Sequence, residues 1–221
     1  MPSTAVHYNA ANGMPPNRFG AYQIEGPLGQ GAVARVYRAQ DRRGQPVALK
    51  VMLPAAASQA HLRACFQLEY RVLSRLRHRG IARVHDAGEV NGLPYMAMEL
   101  INGETLEDFL LRNKTIGEAA AIGIVRQVAD ALDYLHADGY VHRDIKTSNI
   151  MLTRDGRAVL FDFGTIYDIE NPPEHEMGIY GTPAFLAPEQ IDPDRPVDGR
   201  ADLYALGIVL YRMLSGQKPF Y

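Results

Sequence analysis

The sequence predicts an α+β chain of two lobes: an N-terminal one made of an antiparallel sheet plus one helix, and a helical C-terminal one. Three observations lead there. From Phe19 to Leu53, and again from Ile81 to Leu100, apolar and β-branched residues come in short runs broken by turn residues. A single helical stretch, about residues 58–77, interrupts those strands. After Asn102-Gly103 the apolar spacing changes to a 3.6-residue period. The domain reading is a tail over 1–17, an N-terminal lobe over 18–100 and a C-terminal lobe over 101–221.

Each element has its own signal. Met1–Asn17 is rich in Ala, Asn and Pro, and no basic stretch precedes an apolar run, so it reads as a tail and not a secretion signal. Val33, Val36, Val47, Leu49 and Val51 mark strands, with a turn at Asp41-Arg42-Arg43-Gly44. Leu62, Phe66, Leu68, Val72, Leu73 and Leu76 line one side of the first helix. Asn91-Gly92 is a turn between strands at 81–86 and 94–100. Thr115 with Glu118 predicts a capping box opening a helix over 116–137, with Gly139 just past its end. Leu203–Leu214 is apolar on almost every side, which predicts a helix buried all round.

Composition removes several function classes. The 221 residues are 47% hydrophobic, enough for a sizeable core. With 23 basic and 25 acidic residues the formal charge is −2, which gives no case for a nucleic-acid partner. The single cysteine, Cys65, excludes an internal disulfide framework and fits a reducing, cytoplasmic compartment. No apolar run approaches the roughly 20 residues of a membrane helix. Composition does not fix the oligomeric state.

The chemistry lies in short motifs. Gly29-Gln30-Gly31-Ala32-Val33-Ala34, between two predicted strands, approximates G-x-G-x-x-G, with Ala34 in the third glycine's place. Glycines let backbone N–H groups approach phosphate oxygens, although an ordinary hairpin would carry the same residues. Val47-Ala48-Leu49-Lys50 ends an apolar strand on a lysine, for which Glu69 in the first helix is an available partner. Taken singly, Lys50 reads better as a strand end reaching solvent and Glu69 as part of a solvated helix face. Further on come His142-Arg143-Asp144-Ile145-Lys146-Thr147-Ser148-Asn149, then Asp162-Phe163-Gly164, then Ala187-Pro188-Glu189.

Five elements in this order make the chain resemble the eukaryotic-type protein Ser/Thr kinases, from Phe19 to Tyr221. The resemblance implies a bilobal protein-kinase-like fold that binds ATP and Mg2+ and phosphorylates Ser or Thr hydroxyls of protein substrates. It gives Lys50 the α- and β-phosphates, with Glu69 orienting Lys50. Asn149 and Asp162 would hold magnesium, and Asp144 would accept or orient the proton of the substrate hydroxyl. Lys146 is implied to lie near the γ-phosphate, with Thr182 touching Asp144 and Lys146. Lys146 and Gly181–Glu189 match the Ser/Thr class rather than the Tyr class. An adenine pocket is implied from Leu28, Val36, Ala48, Met98, Glu99, Ile101 and Met151, with Gly29 and Gly31 in the loop that approaches the phosphates. Asp202 is implied to brace the catalytic loop.

Departures from the family pattern set further expectations. The stretch from Gly164 to Gly181 offers Thr165, Tyr167 and Tyr180 but no Ser, and carries Asp168, Glu170, Glu174 and Glu176. That balance suggests a fixed negative charge for Arg143 in place of a phosphate. The family pattern continues beyond the position of Tyr221, so the sequence is expected to be a fragment lacking its last helices and the arginine partner of Glu189. A nucleotide-binding pseudokinase scaffold is the alternative to an active enzyme.

Overall fold

Alternating apolar strands and one interrupting helix produce the first of two compact units, which takes in the described residues up to Ser74 together with Arg83–Ile101. The computed structural model describes residues 17–172, 181–192 and 194–220. Six strands form one antiparallel sheet in the order β1-β2-β3-β4-β6-β5. They are β1 (Arg18–Phe19), β2 (Tyr22–Gln30), β3 (Ala34–Gln40), β4 (Pro46–Met52), β5 (Val84–Val90) and β6 (Leu93–Glu99). Short α1 (Pro54–Ala57) and longer α2 (Ala60–Leu73) lie between β4 and β5 in sequence. Both turns read from the sequence form. Asp41 accepts backbone N–H bonds from Arg43 and Gln45, and Asn91-Gly92 carries φ of 51° and 78°. The core centres on Ala39, Leu49, Met52 and Met96, closed by Val72 and Leu73 of α2. Cys65 is half-buried on α2.

The second unit is Arg75–Ala82 with the described residues from Asn102 onward. Its strands are β7 (Gly103–Thr105), β8 (Tyr140–Val141), β9 (Ile150–Thr153), β10 (Ala158–Leu160) and β11 (Tyr167–Asp168). β10-β9-β7 form one small sheet and β11-β8 another. The helices are α3 (Leu106–Asn113), α4 (Glu118–Ala137), α5 (Pro188–Ile191) and α6 (Gly199–Ser215). Val128, Leu132 and Leu135 of α4 and Val209 and Met213 of α6 are fully buried. Among the described residues no helix is long and apolar enough to cross a membrane.

The structure differs from the sequence expectations in three places. The first helix stops at Leu73, because residues 75–82 leave it to pack with the second unit. There Ala82 N–H bonds to the Leu160 carbonyl at 2.9 Å and Leu160 N–H to that of Gly80 at 2.8 Å. Second, α4 opens at Glu118 with Gly117 at its N-cap, and no Thr115 box forms. Thr115 N–H bonds to Asn113 O and Ile116 N–H to Met213 O, both at 2.7 Å, so that turn is already committed to α3 and α6. Third, α6 buries one face only: Leu203, Tyr211 and Leu214 are exposed, since the described residues cover just the face bearing Ala205, Val209 and Met213. The expected tail, apart from Asn17, lies outside the described residues.

Candidate active site

The first unit supplies a buried ion pair. Lys50 sits on central strand β4, opposite Val36 of β3 and Met96 of β6, so both flanks of its backbone are covered. Its ammonium is almost out of solvent and needs a counter-charge. Glu69 answers on the inward face of α2, one turn from Phe66 and Val72, with Nζ at 2.7 Å from Oε1 and 2.9 Å from Oε2. Glu69 is 1% exposed and the Phe66 ring lies 6.0 Å from Nζ. Between β2 and β3, Gly31 N–H bonds to Ala34 O at 2.9 Å. A Cβ on Gly29 would meet nothing within 4 Å, and one on Gly31 only Ala34 O at 3.9 Å. Packing in this unit therefore does not require glycine at either position.

The proposed adenine residues divide between the units. Ala48 pairs with Met98 across β4 and β6, and Val47 with Glu99, whose N–H is bonded to Arg83 O at 2.8 Å. Val36 is half-buried on β3, Leu28 is exposed on β2 and Ile101 follows β6. Met151 is in the second unit, on β9 between Val159 and Thr105.

The second unit gathers Asp144, Lys146, Asn149 and Thr182 around one carboxylate. Lys146 Nζ donates to Asp144 Oδ2 at 2.6 Å and to Thr182 Oγ1 at 2.9 Å. Thr182 Oγ1 donates in turn to Asp144 Oδ1 at 2.9 Å, closing a triangle. Asn149 Nδ2 donates to the Asp144 carbonyl at 2.9 Å and to Oδ2 at 3.2 Å. With its amide nitrogen turned to Asp144, Asn149 has its carbonyl oxygen for other partners. Charge-assisted bonds of this kind fix a carboxylate in position and rotamer.

The loop carrying Asp144 is held from α6. Asp202 is fully buried and accepts the backbone N–H groups of His142 at 2.9 Å and Arg143 at 2.8 Å. Arg143 has φ of 67°, a left-handed conformation costing roughly 1 kcal/mol or more in a non-glycine residue, so the bond to its N–H offsets strain. Asp162 is strained in the same way, with φ of 61°. It follows Phe161, whose N–H bonds to Asn149 O at 3.1 Å and ties this stretch to the loop. His142 is fully buried, its ring centroid 4.5 Å from that of Phe163. Burial pushes its pKa below the ordinary histidine value, against the opposing fields of Asp202, Asp144 and Asp162.

Thr182 is placed by Gly181, which has φ of 117°. A Cβ on Gly181 would lie 2.6 Å from Leu186 Cδ2 and 2.8 Å from Arg143 O, so only glycine fits. Arg143 itself donates from Nε to Thr165 O at 2.8 Å and lies 4.6 Å from the Tyr167 ring centroid. Thr165 Oγ1 donates to His142 O at 2.9 Å, and the Asp168 carboxylate accepts the N–H groups of Glu170 and Asn171. Glu174, Glu176 and Tyr180 lie outside the described residues.

Sequence reasoning missed several supports. His136 Nε2 lies 2.8 Å from Asp202 Oδ2, and Gln190 Nε2 donates to Arg143 O at 2.9 Å. Glu107 of α3 takes the Thr147 hydroxyl and, at 2.6 Å, Arg212 of α6. The one faint pointer is the presence of polar His136 and Gln190 beside apolar helix positions, which does not indicate the partners they meet.

The Protein kinase domain family model matches residues 22–221. Curated relatives include serine/threonine-protein kinase PknD of Mycobacterium tuberculosis (strain CDC 1551 / Oshkosh), 39% identical over 206 residues, or 92% of this chain and 31% of the relative. PknL of the same strain is 36% identical over 201 residues, covering 90% of this chain and 50% of the relative. PknE of Mycobacterium bovis (strain ATCC BAA-935 / AF2122/97) is 38% identical over 205 residues, 92% of this chain and 36% of the relative. The chain thus spans between 31% and 50% of the length of these relatives. A family match reaching from Tyr22 to the last residue, laid over a braced Asp144 and a Lys50–Glu69 pair, places this chain in the protein kinase domain family.

Proposed function

We propose that the protein is an active Ser/Thr kinase that transfers the γ-phosphate of ATP to a Ser or Thr hydroxyl of a protein substrate. The observation that carries this is the Asp144 carboxylate, fixed by Lys146, Thr182 and Asn149 at 2.6–3.2 Å. In the proposed reaction Asp144 accepts the proton of the attacking hydroxyl. A new bond forms from that oxygen to the γ-phosphorus, and the bond from γ-phosphorus to the bridging oxygen of the β-phosphate breaks, leaving ADP. Lys146 sets a positive charge next to that event, and Lys50, oriented by Glu69, binds the α- and β-phosphates. Leu28, Val36, Ala48, Met98 and Met151 would take the adenine faces, and Glu99 and Ile101 its polar edge through backbone groups.

Asn149 and Asp162 fit a magnesium ion, because both offer hard oxygen donors. Among the described residues no group of three His, Cys, Asp or Glu side chains could cage a metal alone. Two protein oxygens with substrate phosphates and waters is the usual way magnesium is bound, and there it neutralises phosphate charge. Cytoplasmic residence is part of the same proposal.

The test is transfer of labelled phosphate from ATP, in magnesium, to a generic Ser/Thr protein substrate. Asp144→Asn keeps the shape of the side chain and removes its basicity, so the rate should fall by roughly 10²–10⁴. Lys50→Met should also abolish transfer, while Asp144→Asn still binds nucleotide. Equal labelling by wild type and Asp144→Asn would leave the pseudokinase scaffold as the better reading.

A further inference from the structure

We propose that a groove along α4, apart from the catalytic loop, docks an extended acidic peptide segment of a partner protein. Two cavities of about 580 and 390 Å³ flank this helix, and Gly123 and Gln127 line both. Together they fall in the size range of ligand sites. The inference goes beyond phosphotransfer and does not depend on it.

The floor is the first argument. A glycine inside a helix costs about 1 kcal/mol relative to alanine. Nothing forces one at 123, since a Cβ there would meet no atom within 4 Å. Glycine at that point keeps the middle of the groove open, with half-buried Phe109, Ile124 and Leu152 as apolar contacts on one side. The walls are also fixed in advance. Gln127 donates to Gly156 O and accepts from Ala158 N–H, both at 3.1 Å, which pins the β9–β10 hairpin against α4.

Charge chooses the occupant. At the groove Glu104 is paired with Arg112 at 2.6 Å and Asp130 is hydrogen-bonded to His78 at 3.1 Å, while Asp155, next to the lining residue Arg154, is paired with Arg157 at 3.2 Å. Arg79, Arg126 and Arg154 are exposed at the groove and form no ion pair with a described carboxylate. Unmatched guanidiniums spaced along an apolar floor suit a chain that alternates carboxylate and apolar side chains, as an extended strand does. A single small anion would leave the apolar floor unused.

The experiment is fluorescence polarisation with the full chain and no nucleotide. The probe is a labelled octapeptide alternating Glu and Leu, with a Lys/Leu twin as control. The acidic probe should bind at least tenfold tighter than the twin and lose affinity in 0.5 M salt. Arg126→Glu and Gly123→Leu should each weaken it about tenfold. Gly123→Leu should not lower the melting temperature, because it replaces a poor helix former where there is room. The proposal fails if the twin binds equally, if both variants bind within twofold of wild type, or if the acidic probe does not bind. Since no phosphate moves in this assay, its outcome and that of the kinase test are independent.

Discussion

The two units hold their charged groups in opposite ways. In the first, Lys50 meets Glu69 through one bidentate link between a strand and a helix. In the second, Asp144 is held by three side chains from two stretches of chain, and its loop by Asp202 as well. The first arrangement concentrates its charge on one pair joining two elements, whereas the second spreads it over a network that degrades by parts. Movement of α2 would carry Glu69 away from Lys50.

The largest stability effect should come from the Lys50–Glu69 pair, because both of its charges are buried. Glu69→Ala removes the carboxylate partner of a buried ammonium and should cost about 3–5 kcal/mol. At roughly 2–4 °C per kcal/mol for a chain of this size, a melting curve reads this easily. Pairing it with Lys50→Met should restore most of the loss, since neither charge then remains buried. Thr182→Val is the matching change in the network and should cost under about 1 kcal/mol, because Asp144 keeps Lys146 and Asn149. Equal losses for Glu69→Ala and Thr182→Val would erase the contrast.

Asp202→Asn attacks the network at its base. An amide has one acceptor oxygen where the carboxylate uses two, so one of the His142 and Arg143 N–H groups is left buried without a partner. The expected cost is about 1–3 kcal/mol. Hydrogen exchange should locate the loss at those two amides, with the amide protons of β4 and β6 unaffected. Faster exchange throughout both units would mean that Asp202 supports the fold at large and not the loop.

A pH series sharpens the contrast further, because the second unit buries a histidine. His142 has a folded pKa below its ordinary 6.5, with burial as the main cause. As pH falls below 6.5 the unfolded chain takes up a proton that folded His142 does not, so stability decreases with falling pH in that window. His142→Phe, which keeps the ring against Phe163, should flatten the melting temperature between roughly pH 5 and 6.5. An unchanged slope would assign the effect to other groups.

Legibility followed the range of the interaction. Hairpins at Asp41–Gly44 and Asn91-Gly92 could be read because a turn is decided by adjacent residues. The Asp144 motif could be read because its members lie within a few residues. Lys50 and Glu69 were each ambiguous alone, since nothing local says that the inward face of α2 meets β4. The partners of His136, Gln127 and Gln190 were unreadable for the same reason: they are 66, 31 and 47 residues away. The exposed face of α6 was misread because hydropathy records what a residue prefers, not what the chain has available to cover it.

The helix caps give the smallest effect and the sharpest lesson in that misreading. Thr115 and Glu118 have the spacing of a capping box, yet the helix starts later because Ile116 is bonded to Met213 of α6. Thr105, with Asp108 three residues on, fits the same rule and does form a cap, its Oγ1 accepting Asp108 N–H at 3.0 Å and donating to Asp108 Oδ2 at 2.6 Å. The cap satisfies a free N–H at the start of α3, next to Glu107 and its links to Thr147 and Arg212. Thr105→Ala should therefore cost about 1 kcal/mol, whereas Thr115→Ala should stay within about 0.5 kcal/mol. Denaturant titration at matched slopes distinguishes the two. A larger loss at Thr115 than at Thr105 would mean that local spacing, and not the tertiary bond at Ile116, decides where α4 begins.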